Sequence, residues 1–368
     1  MMTTVRKSAS RGTGKGGANS LESRLPQLDG FRAIAVLLVM ISHAGLEHIV
    51  PGGLGVTIFF FLSGYLITSI MVHEWSRTGQ LSFRKFYLRR TVRIIPPMLI
   101  AIGFTVMLSV AGLIATMNYP SLGWDVLFLT NYATQLGTSS MIPIPLWSLD
   151  VEEHFYLAFP LLFVFVRGKW GPASAVAVTC AALCIVVLGL RIAHVAANGP
   201  GDEIYYWSHT RIDSILYGCI LATWNNPTTE DRVYISGQFR YAVIGVVIIF
   251  ATIAFRDPVF RQTVRYSLQG LGLFLIFNYA IRNRGFPAKI LSNRILKYVA
   301  DRSYFLYLIH FPLYKALPDL SVSPFVRYGA AIVASFLLAE IVRQLVERPL
   351  LRWRQNHELK ADIKVSTI

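Results

Sequence analysis

Leu28-Asp-Gly-Phe-Arg-Ala-Ile-Ala-Val-Leu-Leu-Val-Met-Ile-Ser-His43 is the stretch on which the reading of this chain turns. From Ala33 to Ile41 it is wholly apolar, too greasy for a surface helix. A permanently charged Arg32 stands at its mouth and His43 follows eleven residues later. Eleven residues are close to three α-helical turns, which predicts that both side chains project from nearly one face, about 16 Å apart along the axis. Ionisable groups inside a membrane span are costly and are functional-site candidates by default. A guanidinium at the entrance and an imidazole deeper in are read as two stations on a path through the bilayer.

The rest of the chain agrees with a membrane setting. Apolar residues make up 54% of the 368, charged residues 15%, and the mean hydropathy is +0.49. The net charge of +15 raises nucleic acid as a partner. The Lys and Arg residues, however, fall mainly in short loops between apolar runs, as membrane topology requires, so no nucleic-acid partner is expected. Cys180, Cys184 and Cys219 all lie in apolar runs without zinc-ligand spacing and are read as small buried hydrophobes, with no metal expected. Residues 1–24 are basic and rich in Gly and Ser, with no apolar core of a signal peptide, and are read as a disordered cytosolic tail. Gly12, Gly14 and Gly17 match a dinucleotide fingerprint in form only, since no strand precedes them.

Apolar runs at about 31–49, 54–73, 94–115, 148–166, 173–193, 211–224, 240–255, 266–281, 303–317 and 325–346 predict an all-α polytopic bundle of about ten transmembrane helices. A further run, Trp124–Thr134, is too short to span and is read as a re-entrant or interfacial helix. Loops 74–93 and 282–302 and the tail after 347 are rich in Lys and Arg, whereas 116–147 has neither. Ten spans put the strongly basic segments, and both termini, on the cytoplasmic side of the plasma (inner) membrane. Arg256, Arg261 and Arg265 are the discordant group. No internal repeat is visible.

Polar groups can then be sorted by depth. Arg89, Arg90 and Arg93 fall on adjacent turns of a helix just before the membrane, and Pro96-Pro97 predicts a break or kink there. Guanidinium groups suit bidentate phosphate binding, so these three are the candidate cofactor contacts for a phosphorylated ligand from the cytosol. In the second span, small Ser63 and Gly64 favour close helix packing. The fourth span opens with Asp150, Glu152, Glu153 and His154, followed by Tyr156. Asp150 and Glu152 suit the helix dipole. Glu153, the deepest, is expected to face a cavity and to orient a histidine. Arg211 and Asp213 open the sixth span, as either a structural salt bridge or a substrate contact. His310 lies within a span, as a functional group or a hydrogen-bonded structural one. Glu347-Arg348 is expected to close the bundle by ion pairing. No His-Glu-x-x-His, Gly-x-Ser-x-Gly or His-x-x-x-x-Asp arrangement of a soluble hydrolase or glycerolipid acyltransferase is present.

Six pieces, in order, together resemble the acyltransferase 3 family of membrane proteins, which O-acylate carbohydrates and some macrolides. They are Leu28-Asp-Gly-Phe-Arg32 with His43, Gly55-Val-x-Ile-Phe-Phe-x-Leu-Ser63-Gly64-Tyr65, and Phe86-Tyr-x-Arg89-Arg90-x-x-Arg93-Ile-x-Pro96. Trp147-Ser-Leu-x-x-Glu152-Glu153-x-Phe-Tyr156, Arg211-x-Asp213 and Ser303-Tyr304-x-x-Tyr307-Leu-x-His310 complete the set, over about residues 24–350. The resemblance implies ten core spans and transfer of an acyl group, usually acetyl from acetyl-CoA, to a hydroxyl across the membrane. It implies importance for Arg32, His43, Arg89 and Arg93, with Glu153 and Arg211 as site residues. The catalytic set expected is therefore His43, Glu153 and Arg32; Arg211, Asp213, His310 and Tyr156 are expected on the substrate side. Many relatives carry an esterase-like domain after an extra span, and the resemblance here is to the stand-alone branch acting on exopolysaccharide, lipopolysaccharide O-antigen, Nod factors or macrolides. A transporter using Arg32 and His43 as a proton path is the competing class, and a non-catalytic membrane scaffold a third.

Overall fold

The computed structural model describes residues 25–227, 235–317 and 323–356. The expected basic tail 1–24, and the C-terminal tail from 357 on, lie outside the described residues. Within them the chain is helical, with no strand. The elements are α1 Gln27–Ile41, α2 Gly52–Thr78, α3 Phe83–Val110, α4 Leu122–Val126, α5 Thr130–Ala133, α6 Leu146–Trp170, α7 Ala173–Asn198, α8 Glu203–Tyr206 and α9 Ser208–Arg211. They continue with α10 Asp213–Trp224, α11 Phe239–Ala254, α12 Pro258–Gln262, α13 Arg265–Arg282, α14 Phe286–Leu291, α15 Arg294–Ala300, α16 Ser303–Ala316 and α17 Pro324–Val342. Each of the ten apolar runs falls on a helix. Five helical stretches, Gln27–Leu46, α2, α3, α7 and Pro324–Asn356, are long and apolar enough to cross a membrane, and α11 is a shorter apolar helix.

Helix α2 is the hub. Of its most apolar window, 78% is buried inside the protein, against 22% for the Pro324–Asn356 stretch. An apolar helix buried all round belongs at the centre of a bundle, where its partners, and not the lipid, decide its sequence. Its contact with α10 depends on two glycines. A methyl group at Gly64 would collide with the Ile215 carbonyl oxygen, and one at Gly218 with the Phe61 carbonyl oxygen. Close backbone approach through small residues replaces the hydrophobic driving force that lipid removes. Gly64→Ala is therefore expected to force α2 and α10 apart and to lower the thermal midpoint of the detergent-solubilised protein by several degrees. Unfolding at the parent midpoint would refute this account of the packing.

Of the break or kink expected at Pro96-Pro97, the break does not occur: helix α3 continues through the pair. Nearby, the Ile94 carbonyl accepts the Tyr304 hydroxyl at 2.9 Å, which ties α16 to this part of α3. The consequence is functional. Arg90 and Arg93 sit on the same continuous helix as the apolar span and turn into the bundle.

The Trp124–Thr134 run forms two short helices, α4 and α5, held against the head of α6. Asp150, fully buried, accepts the Asn131 backbone N–H at 2.8 Å, and Thr130 Oγ1 donates to Asp125 at 2.9 Å. Asp150 is thus an anchor for this segment. At the opposite end the bundle is closed by Arg302 on Glu340 and by Arg343 on Asp301 at 2.8 Å. In the segment expected to close the bundle by ion pairing, Glu347 interacts with the charges of Arg93, Arg343 and Arg302, while Arg348 donates to Gln344 one turn back.

Candidate active site

A cavity of about 110 Å³ opens between α1, α2, α3, α6 and α16. Five segments far apart in the chain contribute to it. Arg32 comes from α1, Ser63 from α2, Arg90 and Arg93 from α3, Ser148, Glu152 and Tyr156 from α6, and Tyr304 and Tyr307 from α16. Between them lie apolar side chains, among them Phe59, Leu62, Leu66, Ile67 and Leu308. Three guanidinium groups against one carboxylate leave the lining strongly cationic. Glu152 accepts the Tyr156 hydroxyl at 2.7 Å, and the same hydroxyl lies 3.2 Å from Ser63 Oγ. The Arg90 guanidinium lies over the Tyr156 ring, 5.4 Å from its centroid, within cation–π range. Arg32 also reaches Asp29 at 3.5 Å, and Asp29 in turn holds Lys297 at 3.2 Å.

Of the three arginines expected to act together, two line the cavity. Arg89 turns from the cavity and pairs with Glu74 at 3.3 Å, while Glu74 also accepts the Ser82 backbone N–H at 2.8 Å. That pair ties the end of α2 to the start of α3. Side chains three and four apart share a helix face, whereas adjacent ones do not. Arg93 is three residues from Arg90 and four from Arg89, so spacing alone does not separate them, and it is the pair with Glu74 that holds Arg89 away from the cavity.

The acidic residue in the cavity is Glu152. Glu153, one position on, is absent from the lining, and its Oε1 is buried without a hydrogen-bond partner among the described residues. The expected pairing of Glu153 with a histidine does not form. His43 instead meets His310, with Nδ1 2.9 Å from Nε2. His43 lies at the end of α1, just before a kink at which Ala44 and Gly45 leave helical geometry, Gly45 with φ +88°. Glycine accepts a positive φ without steric cost, so the kink falls where the sequence permits it. The kink falls after His43, so no break in the helix separates Arg32 from His43. Arg32 lines the cavity and His43 does not. The two are connected through α16, where Tyr307 lines the cavity and its ring centroid lies 6.1 Å from that of His310. Tyr307 also shares a short 2.6 Å hydrogen bond with Ser148.

Arg211 and Asp213 do not pair with each other. Asp213 is fully buried and holds Arg191 at 2.7 Å, and Arg191 also donates to the Thr263 and Thr210 carbonyls and to Ser267. This node joins α7, α9, α10 and α13. Reading of the sequence missed Arg191, although an arginine within the apolar run 173–193 was the available signal. Arg211, also fully buried, sits in a cage of rings, 3.8 Å from the Tyr266 centroid and 5.1, 5.6 and 6.0 Å from those of Tyr205, Phe60 and Trp147. It donates to Thr57 at 3.2 Å, and its Nε and Nη1 have no hydrogen-bond partner among the described residues. Phe60 belongs to both the cage and the cavity wall. No group of three or more His, Cys, Asp or Glu side chains suited to a metal occurs among the described residues.

An apolar helical bundle enclosing a cationic cavity, with a histidine pair at the end of α1, has the make-up of a membrane protein. The comparisons give the class: a family model described as "Acyltransferase domain" matches residues 25–343, and the chain belongs to the acyltransferase 3 family. Among its relatives is the O-acetyltransferase OatA of Staphylococcus aureus strain NCTC 8325, 31% identical over 347 residues, which cover 89% of this chain and 57% of the relative. OatA of strain COL matches to the same extent. The chain thus spans less than three fifths of the length of these relatives. No solved structure matches it.

Proposed function

We propose that this chain is a membrane O-acetyltransferase that moves an acetyl group from acetyl-CoA on the cytosolic side to a hydroxyl of a cell-envelope or exported carbohydrate. One observation carries the reading: Arg32, Arg90 and Arg93 converge on one cavity whose remaining walls are largely apolar and aromatic. A phosphorylated head joined to an apolar thioester arm has that division of chemistry. Guanidinium groups take phosphate in bidentate fashion, and Phe59, Leu62 and Leu66 suit the arm. The names of the relatives agree with acetyl as the group transferred.

The proposed topology has ten spans within 25–350, α4 and α5 as a re-entrant element, both termini cytoplasmic and the chain in the plasma (inner) membrane. Its support is the clustering of Lys and Arg in 74–93, 282–302 and the tail after 347. In this orientation Arg90 and Arg93 lie toward the cytosol and His43 toward the outer leaflet. The donor then enters at the cationic end and the acceptor meets it at the histidine.

His43 is the proposed general base. As the acceptor oxygen attacks the thioester carbonyl carbon, its proton passes to the imidazole. The carbon–sulfur bond breaks and the departing thiolate takes that proton, leaving an ester and free CoA. Base catalysis by a positioned histidine contributes about 10²–10⁴-fold. Arg211, with two buried donor nitrogens unsatisfied, is proposed to receive a polar or anionic group of the acceptor.

The deciding experiment supplies purified protein in lipid nanodiscs with radiolabelled acetyl-CoA and a soluble oligosaccharide prepared from the host envelope. Labelled ester is the expected product, and its absence with every envelope glycan tried would overturn the reading. In the same assay Arg90→Gln and Arg93→Gln are each expected to raise the KM for acetyl-CoA by about 10-fold or more, the scale of one lost charged hydrogen bond. Arg89→Gln, whose side chain is held by Glu74, is expected to shift it far less. Equal effects at all three positions would argue against direct phosphate contact.

A further inference from the structure

The two histidines form a hydrogen-bonded pair whose proton positions follow from the chain itself. His310 Nδ1 lies 3.0 Å from the Leu306 carbonyl oxygen, one turn earlier on α16. A carbonyl oxygen can only accept, so the hydrogen of that bond is on Nδ1 of His310. The His310 ring is fully buried and packs against Tyr307 and Tyr314. Among the described residues no carboxylate bonds to it, so the ring is neutral there and carries one hydrogen only. Its Nε2 therefore presents a lone pair. The partner at 2.9 Å, His43 Nδ1, has to be the donor. With its hydrogen on Nδ1, a neutral His43 has its lone pair on Nε2, on the ring edge away from His310.

The ring geometry fits this assignment. The planes differ by 6° and the centroids are 5.2 Å apart, an edge-to-edge arrangement in which the shared hydrogen lies in both ring planes. The pair is also held from outside. Tyr314, one turn beyond His310, donates its hydroxyl to the Met40 carbonyl at 3.1 Å, clamping α16 to the end of α1 just before its kink.

We infer that His310 is the positioning residue of this site: it accepts the Nδ1 hydrogen of His43 and so holds His43 in the tautomer whose Nε2 can remove a proton. The role resembles that of the carboxylate behind the histidine in a catalytic triad, but a neutral ring fills it. When His43 takes the acceptor's proton on Nε2, the resulting imidazolium keeps its Nδ1 hydrogen bonded to His310. No proton has to leave His310, and the one gained passes on to the departing thiolate. The inference rests on the proposed role of His43 as base.

The test has two readouts. In protein labelled with ¹⁵N-histidine, the wild-type spectrum is expected to show His43 as a single neutral tautomer protonated on Nδ1. His310→Leu is expected to lose that preference and to lower kcat about 10²-fold, with the KM for acetyl-CoA within about twofold of wild type. His310→Gln offers a carboxamide oxygen near the former position of Nε2 and is expected to recover activity to within about tenfold of wild type. Wild-type His43 protonated on Nε2, or wild-type kcat in His310→Leu, overturns the inference. The spectrum of the unaltered protein decides the matter even where a variant fails to fold. His43→Ala separates the two levels. If it retains activity, the base assignment itself falls; if it is inert while His310→Leu is fully active, only the positioning role falls.

Discussion

His43→Ala is expected to insert in the membrane and bind acetyl-CoA within about twofold of the parent, yet to form ester about 10²–10⁴-fold more slowly. The expectation follows from where His43 stands. It is outside the cavity lined by Arg32, Arg90 and Arg93, so its loss removes none of the cationic groups proposed to hold the donor. It is bonded through Nδ1 to His310, so its loss removes one ring from a pair and leaves the helices joined by Tyr314 on Met40. Binding and turnover should therefore separate in this variant, a split that general unfolding does not produce. Measured kcat, donor affinity and a monodisperse elution profile check it together. Ester formation at the parent rate would remove His43 from the chemistry.

Asp213→Ala is expected to fail at an earlier stage, in folding. The Asp213 carboxylate and the Arg191 guanidinium are both fully inaccessible and 2.7 Å apart. Removing one member of a buried ion pair leaves an uncompensated charge and costs about 3–5 kcal/mol, whereas replacing both by apolar residues of similar size is often close to neutral. Asp213→Ala should thus be recovered poorly, or unfold at a markedly lower temperature in detergent, while Arg191→Leu with Asp213→Leu is milder than either single change. A double variant worse than both singles would show that the hydrogen bonds from Arg191 to the Thr263 and Thr210 carbonyls matter more than the charge pair. Asp213 stood at first as one of a pair with Arg211. The structure gives it a different partner, and Arg211 is left facing rings.

The elements that were legible in the sequence share a property: they are set by local chemistry. A run of apolar residues is helical in lipid because backbone polar groups have no other partner there, and so each of the ten runs falls on a helix. Gly64 was readable as a packing position because a small residue in an apolar helix has few other uses. Many polar residues inside apolar runs were also readable, because their burial is costly wherever they end up, although Arg191, Gln269 and Asn278 were passed over.

Which of those polar residues meet was decided by tertiary structure alone. Arg89, Arg90 and Arg93 look equivalent along the chain, yet Glu74 claims the first and the cavity receives the other two. Glu152 and Glu153 are neighbours, and the rotation of α6 turns Glu152, not Glu153, into the cavity. His43 and His310 are separated by 267 positions and meet because Tyr314 clamps α16 beside the end of α1. Sequence periodicity reports the face of a helix only relative to that helix. The angle at which each face is presented to its neighbours depends on close contacts such as Gly64 against Ile215, and these exist only once the bundle has formed. The chain's composition thus determined that this is a helical membrane protein with costly polar groups inside it, while helix packing alone decided which of them share a site.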